Sequence, residues 1–294
     1  MTSKVCLFGA GGQLGQELQR RVPAGIELHA IDRRQVDLAQ PEQIRAVLDR
    51  LQPQILLNAA AYTAVDRAEA ESELAYTVNA EAPGILAEWA AAKGARLLHV
   101  STDFVFDGEQ GRPYRPDDPI APLGVYGASK AAGEAKIRAQ LGEQALILRT
   151  AWVYSQFGNN FVKTMLRLMA ERESLSVVGD QIGTPTWAGG LAGALWKAVQ
   201  APDFVGTQHW TDAGVASWYD FAVAIQEEAL QLGLLQRAIP IQMIPASAYP
   251  TPARRPACAV LDKSGSYAAL GSAPHWRVPL RHMLSEYAKG KTHD

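Results

Sequence analysis

Apolar positions fall along the chain in two alternating textures. Short, nearly unbroken runs occur at Lys4 to Phe8 (KVCLF), Glu27 to Ile31, Gln54 to Asn58 (QILLN), Arg96 to Val100 and Ala145 to Arg149. Runs of this length and continuity predict strands buried on both faces. Between them lie helical stretches: Gln13 to Arg21, Pro41 to Leu51 with proline in its first turn, and Ser129 to Leu141. Glu71 to Lys93 reads as two helical segments interrupted near Pro83, with Asn79 between them. Strand and helix alternate five or six times by Arg149, which predicts an α/β fold built on a doubly wound parallel sheet.

From Trp152 the texture changes. Phe161 to Arg172 has apolar residues at 161, 162, 165, 166, 168 and 169, the stripe of an amphipathic helix. Asp180 to Thr186 reads as a loop, Ser217 to Gly233 as a helix, and the proline-rich Ile239 to Pro256 as an extended segment. A first domain over residues 1–150 and a smaller C-terminal lobe over 151–294 are expected. Residues 184–212, with a helix at Gly190 to Gln200 and a strand at Thr207 to Thr211, return to the first.

Composition narrows the class. Of 294 residues, 48% are hydrophobic and 20% charged, as in ordinary globular proteins, and the net charge of −2 provides no footprint for nucleic acid or a membrane surface. The N-terminus runs straight into the first strand, and no apolar run reaches the roughly 18 residues of a membrane span. Two cysteines, Cys6 and Cys258, make no disulfide framework, and Cys6 lies inside a strand as a buried thiol. The six histidines show no metal-ligand or triad spacing. A reduced, cytoplasmic enzyme fits this set.

The candidate chemistry begins directly after the first strand. Gly9-Ala-Gly-Gly-Gln-Leu-Gly15 places glycines at 9, 12 and 15 between a strand and a helix. Such a turn, with Gln13 and Leu14 opening the helix, offers backbone N–H groups to a pyrophosphate, so the sheet is read as a Rossmann, NAD(P)-binding one. Asp32 ends the second strand, where an acidic side chain accepts hydrogen bonds from ribose hydroxyls. Arg33 and Arg34 follow and suit a 2′-phosphate, so NADH and NADPH both stand. Asp37, Leu38 and the small segment Ala59-Ala60-Ala61-Tyr62-Thr63 complete the candidate dinucleotide surface. The alternative for the small residues is tight loop packing.

Ser101-Thr102-Asp103 follow the fourth strand, and a hydroxyl just past such a strand points into the ligand crevice or caps a turn. Tyr126 and Lys130 stand four apart, on one helix face. An ammonium group beside a phenol is expected to draw the tyrosine pKa from about 10 towards neutrality, where it exchanges protons with a carbonyl or an alcohol. Tyr287 and Lys291 repeat the spacing in a charged C-terminal tail, read as a solvated coincidence. Arg254 and Arg255 suit a diphosphate or a solvated basic pair, and Trp152 suits a wall for sugar or base or a core position.

These stretches together resemble the extended short-chain dehydrogenase/reductase superfamily, and within it the dTDP-4-dehydrorhamnose reductases. The likeness rests on Gly9 to Gly15, Asn58-Ala-Ala-Ala-Tyr-Thr-Ala-Val-Asp66, Ser101-Thr-Asp-Phe-Val-Phe-Asp-Gly108 and Tyr126-Gly-Ala-Ser-Lys130. Arg149-Thr-Ala-Trp-Val-Tyr154, Gly158-Asn-Asn-Phe161 and Ala248 to Pro256 extend it over nearly the whole chain. It implies Thr102, Tyr126 and Lys130 as catalytic residues, and Thr102, Asp103, Tyr126, Trp152 and Arg255 as contacts for a nucleotide-sugar. The implied reaction is NAD(P)H-dependent reduction of dTDP-4-dehydro-β-L-rhamnose. Phe104 stands where the family usually has tyrosine. Some members hold Mg²⁺ with interface glutamates. Glu17 matches one such position, whereas Gly189 and Gly190 stand where another acidic ligand is expected, so no metal ligand is assigned. The resemblance also allows a homodimer. Two other functions remain in view: another nucleotide-sugar enzyme of this fold, and a non-catalytic dinucleotide-binding regulatory subunit. A dehydratase usually has Asp-Glu after the threonine, where this chain has Asp103-Phe104, and a regulatory subunit usually loses part of the Thr-Tyr-Lys set, which here is complete.

Overall fold

The computed structural model describes residues 2–291. The apolar runs form β1 (Ser3–Phe8), β2 (Ile26–Ile31), β3 (Ile55–Asn58), β4 (Arg96–Thr102) and β5 (Leu146–Thr150). A returning strand, Gly206–His209, pairs with β5 and completes a six-stranded sheet. From that strand the order continues β5, β4, β3, β1, β2, and every pairing is parallel. The winding direction reverses between β1 and β3. Ligands of such sheets bind at that reversal, beyond the carboxyl ends of the strands.

The strands read as continuous apolar runs because each side of the sheet is covered. Val5 and Leu7 of β1 point towards helices Gln13–Arg20 and Ala188–Gln200, packing with Leu14, Leu18, Leu191 and Leu195. Cys6 and Phe8 point the other way, towards Pro41–Leu51 and Ala82–Lys93, with Ile44, Leu48 and Leu86. Burial lifts the Cys6 thiol to about 12, so it serves as an inert apolar group.

Several details differ from the sequence reading. The break in the 71–93 stretch is a π-helical turn, Thr77–Glu81, and Pro83 lies in the first turn of the next helix, where its missing N–H costs nothing. The Tyr126 helix spans Val125–Leu141, starting four residues earlier than read from Ser129. Its early glycine weakens the local signal but is required, since a Cβ on Gly127 would lie 2.1 Å from the Phe104 carbonyl oxygen. Tyr287 is not part of a solvated tail, although Lys289 and Gly290 beyond it are exposed. Arg277–Lys291 is a helix, and Leu280, Met283, Leu284 and Tyr287 line its packed face.

A separate core joins that helix to Phe161–Glu171 and Trp218–Gln231 through Val162, Met169, Phe221 and Ile225. Asn160 accepts from the Lys163 N–H at the start of one helix, and Ser217 and Asp220 form a capping box on the other. The stretch read as a loop holds two short strands, Ile182–Gly183 and Thr186–Trp187, paired with Ala216–Ser217 and Val153–Tyr154. The extended 239–256 segment contributes Ile241–Ile244, parallel to Leu175–Val178. Among the described residues no helix is long and apolar enough to cross a membrane.

Candidate active site

A cleft of about 1160 Å³ opens at the carboxyl ends of β1 to β5 and continues under the second lobe. The structure brings the site residues read from the sequence to its walls, except Arg254, which is exposed outside it. Gly9, Gly12, Gln13, Leu14, Asp32, Asp37, Leu38, Ala61, Tyr62 and Thr63 line one end; Thr102, Asp103, Tyr126, Lys130, Trp152 and Arg255 line the rest.

The dinucleotide end is shaped by close approach. Gly9 has φ +88°, and a Cβ there would fall 2.7 Å from the Ala60 nitrogen, so the turn after β1 and the small segment after β3 lie against each other. Helix Gln13–Arg20 begins at Gly12 with no side-chain cap, leaving its first N–H groups for an anion. Asp32 is already engaged: one oxygen accepts from Arg34 Nε and Nη2 at 3.1 and 2.8 Å, the other from the Arg34 and Gln35 N–H groups. The Arg34 bond, above all, holds its carboxyl below the usual range. A nicotinamide dinucleotide fits this uncapped, glycine-walled end.

The reacting end is assembled from three elements. Thr102 ends β4, its Oγ1 3.0 Å from Asp103 Oδ1 and accepting from the Phe104 N–H at 3.2 Å. Tyr126 sits in the first turn of its helix, which is tied down from several sides. Glu69 accepts from the Val125 N–H, and Asn79, from the π-helical turn, donates to Ser129 Oγ at 3.0 Å and accepts from the Tyr62 N–H at 2.8 Å. Further along, the buried Glu134 carboxylate accepts from Ser101 at 2.6 Å and from Arg149 at 2.7 and 2.9 Å, joining the helix to β4 and β5. Phe104 meets the Tyr126 ring edge to face at 5.5 Å, so the aromatic contact survives without a hydroxyl.

The electrostatics correct one expectation. Tyr126 is not drawn towards neutrality; burial pushes its phenol up to about 12, with the Thr102 hydrogen bond pulling down and the Asp103 charge adding. Lys130, fully buried, is itself brought down to about 8 by burial, against the attraction of Glu134. Its Nζ is spent on the Val100 carbonyl at 2.7 Å and on His99 Nε2 at 3.1 Å. Asp103 is raised to about 7 by burial, and its Oδ2 has no partner.

Arg255 reaches the cleft but is held there by Asp66, at 3.0 and 2.8 Å, and by the Ala253 carbonyl. Trp152 has φ +46°, a strained value for a bulky residue, and its ring lies flat on Trp218 with centroids 3.5 Å apart. Sequence reasoning passed over Trp218, His99 and Glu134, and placed Asn79 between two helical segments without giving it a role. The available signal for His99 was a polar side chain inside an otherwise apolar, doubly covered strand.

Mg²⁺ does not fit at Glu17. Its Oε1 accepts from Ser155 at 2.7 Å and its Oε2 is paired with Arg21, while Arg20 stands 3.9 Å away. An acidic side chain at 189 is excluded sterically, because a Cβ there would lie 2.4 Å from the Trp187 ring, over which Arg21 stacks at 4.9 Å. Among the described residues no three carboxylate, histidine or cysteine side chains gather for a metal.

A hydroxyl, a phenol and a lysine on a Rossmann sheet, beside an uncapped glycine turn, define a reductase of the short-chain dehydrogenase type. The family model described as the RmlD substrate binding domain matches residues 3–289. The chain is 40% identical to dTDP-4-dehydrorhamnose reductase of Aggregatibacter actinomycetemcomitans, over 96% of this chain and 98% of that one. It is 41% identical to that of Escherichia coli K12, over 96% and 97%. The structure of dTDP-4-dehydrorhamnose reductase from Bacillus anthracis in complex with NADP superposes with a TM-score of 0.91 at 34% identity, covering 97% of this chain and 100% of that one. The chain belongs to the dTDP-4-dehydrorhamnose reductase family.

Proposed function

We propose that this chain reduces the 4-keto group of dTDP-4-dehydro-β-L-rhamnose to give dTDP-L-rhamnose, the final step of dTDP-L-rhamnose biosynthesis for surface polysaccharide. The observation that carries the reading is the convergence of Thr102, Tyr126 and Lys130 in one cleft with the glycine turn, in a chain of this family. NADPH or NADH, when bound, supplies the hydride that attacks the keto carbon. Tyr126 gives its proton to the oxygen as the C=O bond becomes CH–OH, and Thr102 donates a hydrogen bond to that oxygen. A phenol pushed up to about 12 stays protonated until the alkoxide forms, which suits reduction. Asp103 and Trp152 contact the sugar, Arg255 the diphosphate, and Lys130 the nicotinamide ribose.

Residues 1–150, with 184–212, act in this reading as the dinucleotide-binding domain, and the remainder as the substrate lobe. Elimination chemistry is disfavoured because Phe104 supplies no acid or base beside Asp103. A regulatory role is disfavoured because the Thr-Tyr-Lys set is whole. The same reading puts the enzyme in the cytoplasm, and sedimentation tests the homodimer that the resemblance allows. The purified protein, given dTDP-4-dehydro-β-L-rhamnose with NADPH or NADH, is expected to consume reduced nicotinamide and release dTDP-L-rhamnose. No consumption with either cofactor refutes the assignment.

A further inference from the structure

Residues 155–160, which lead into helix Phe161–Glu171 of the second lobe, are fastened onto the dinucleotide end of the cleft. Ser155 Oγ donates to Glu17 on helix Gln13–Arg20 at 2.7 Å, and Arg20 of that helix lies over the Phe157 ring at 5.5 Å. Lys163 Nζ donates to the Gly158 carbonyl at 2.7 Å. Gly158 has φ +59°, and a Cβ there would lie 3.1 Å from Cγ of Gln13, so the loop rests on the stem of that side chain. Gln13, Gly158 and Asn160 all line the cleft, beside the uncapped start of helix Gln13–Arg20.

This network fixes which way two amides face. The Lys163 N–H lies 3.1 Å from Asn160 Oδ1. A backbone N–H only donates, so the Asn160 oxygen stands there and its NH₂ lies on the other side. That NH₂ donates to the Ser155 carbonyl at 2.6 Å and to Gln13 at 2.9 Å. An amide NH₂ accepts nothing, so the Gln13 atom that meets it is Oε1. The Gln13 NH₂ is thereby turned from Asn160, and it makes no hydrogen bond among the described residues. A freely turning amide would offer its oxygen as readily as its NH₂, and an oxygen facing a phosphate sets acceptor against acceptor.

We propose that Asn160 is a positioning residue for the cofactor, holding the Gln13 amide with its NH₂ towards the pyrophosphate of the nicotinamide dinucleotide. A helix cap alone does not require asparagine here, since serine and aspartate cap as well. Serine is too short to reach Gln13, and aspartate carries no donor for Gln13 and Ser155. The amide belongs to the first lobe and the residue that sets it belongs to the second. The grip on the cofactor therefore depends on where the second lobe sits.

The inference rests on reading this end of the cleft as the dinucleotide site, and affinities separate the two. An unaltered protein that binds neither NADPH nor NADH in calorimetry overturns both. With binding present, dissociation constants for the tighter of the two cofactors, and for dTDP, are measured in the unaltered protein, Gln13→Leu, Asn160→Ser and the double variant. Serine keeps the helix cap, and leucine keeps the stem against Gly158. Gln13→Leu is expected to weaken cofactor binding at least about fivefold, and Asn160→Ser about threefold or more, as loss of a charge-assisted hydrogen bond in a solvent-reached cleft requires. The double variant should match Gln13→Leu within about twofold, because Asn160 then has nothing left to orient, and dTDP affinity should hold within the same factor. Losses that multiply in the double variant show Asn160 acting other than through Gln13 and refute the proposal. A fall in dTDP affinity in Asn160→Ser, with the cofactor unmoved, assigns Asn160 to the sugar nucleotide and refutes it equally. In the unaltered protein, labelled with ¹⁵N in its glutamine side chains, the Gln13 NH₂ resonances are identified by their absence in Gln13→Leu. They should shift with ADP-ribose, which carries the pyrophosphate without the nicotinamide. Resonances that stay put overturn the proposal even if the Asn160 variants fail to fold.

Discussion

Asp103→Asn isolates the cost of one buried carboxyl. Asp103 is 2% exposed, its Oδ2 has no partner, and burial raises its pKa from 3.8 to about 7 against the pull of Thr102 and two N–H groups. The folded protein thus binds this proton more tightly than the unfolded chain. The group's contribution is most favourable below the unfolded value of 3.8, and it declines as pH rises until the folded group also ionises near 7. At about 1.4 kcal/mol per pH unit, the loss reaches about 4 kcal/mol. Asparagine carries no charge at any pH. The variant is therefore expected to exceed the parent in stability by about 3–4 kcal/mol at about pH 8, and by roughly 2 kcal/mol at about pH 5. Urea unfolding followed by tryptophan fluorescence measures both, provided the slope m is unchanged. Tyr126, pushed up to about 12, stays neutral throughout and does not interfere. Turnover should fall at least about tenfold, because the same group is read as a sugar contact, and stability gained at a site is commonly bought with activity. An equal stability difference at the two pH values, or none, would show that Asp103 does not carry the charge burden assigned to it.

Tyr126→Phe is expected to lower kcat by at least about 100-fold while dinucleotide affinity stays within a few-fold, since only proton transfer is lost; stopped-flow reduction and fluorescence titration read the two, and a near-normal rate removes Tyr126 from the mechanism. Both cofactors should work with selectivity below roughly tenfold, and Arg34→Ala, which frees the Asp32 carboxylate, should shift the ratio of kcat/KM values towards NADH by about tenfold, or about 1.4 kcal/mol; an unmoved ratio refutes that role for Asp32. Arg255→Ala should raise KM for the sugar nucleotide by roughly 10- to 150-fold and leave cofactor binding nearly untouched, as loss of a charge-assisted pair of about 1.5–3 kcal/mol requires. Its ion pair with Asp66 is partly solvated, so the melting temperature should hardly move; a fall in cofactor binding without a rise in KM places the arginine on the wrong ligand.

What the sequence made legible was local. The doubly covered strands announced themselves as apolar runs, the glycine turn lay directly after β1, and Tyr126 and Lys130 shared a helix face by spacing alone. The Tyr287 helix was legible too, because 280, 283, 284 and 287 follow helical spacing, but its charged and glycine-bearing end masked the stripe. Contacts between distant segments were not readable. Asp66 and Arg255 stand 189 residues apart, and Asn58 and His99 stand 41 apart. The sign of the Tyr126 shift could not be read because burial of the phenol dominates it, and the fold sets that burial. Spacing puts the ammonium beside the phenol, and the fold turns it to Val100 and His99 instead.

The polar residues at the carboxyl ends of the strands also explain why this sheet is costly to build at one end. Asp103 Oδ2 and Thr150 Oγ1 are buried without partners and belong to residues that line the cleft, so folding pays their desolvation and a polar ligand recovers it. One layer further out the opposite holds. Glu134 has Arg138 on its own helix, Ser101 from β4 and Arg149 from β5, and Asn79 has Tyr62 and, on the Tyr126 helix, Ser129. These satisfied groups fix the Tyr126 helix against β4 and β5, so the reacting hydroxyls are held in place although the cleft itself contributes little stability. A substitution in the cleft should therefore change rate more than stability, apart from Asp103, whose charge the cleft tolerates poorly. A substitution in the outer layer, such as Glu134→Gln, should unfold the protein before it alters the chemistry, because it leaves the Arg149 guanidinium buried without its counter-charge.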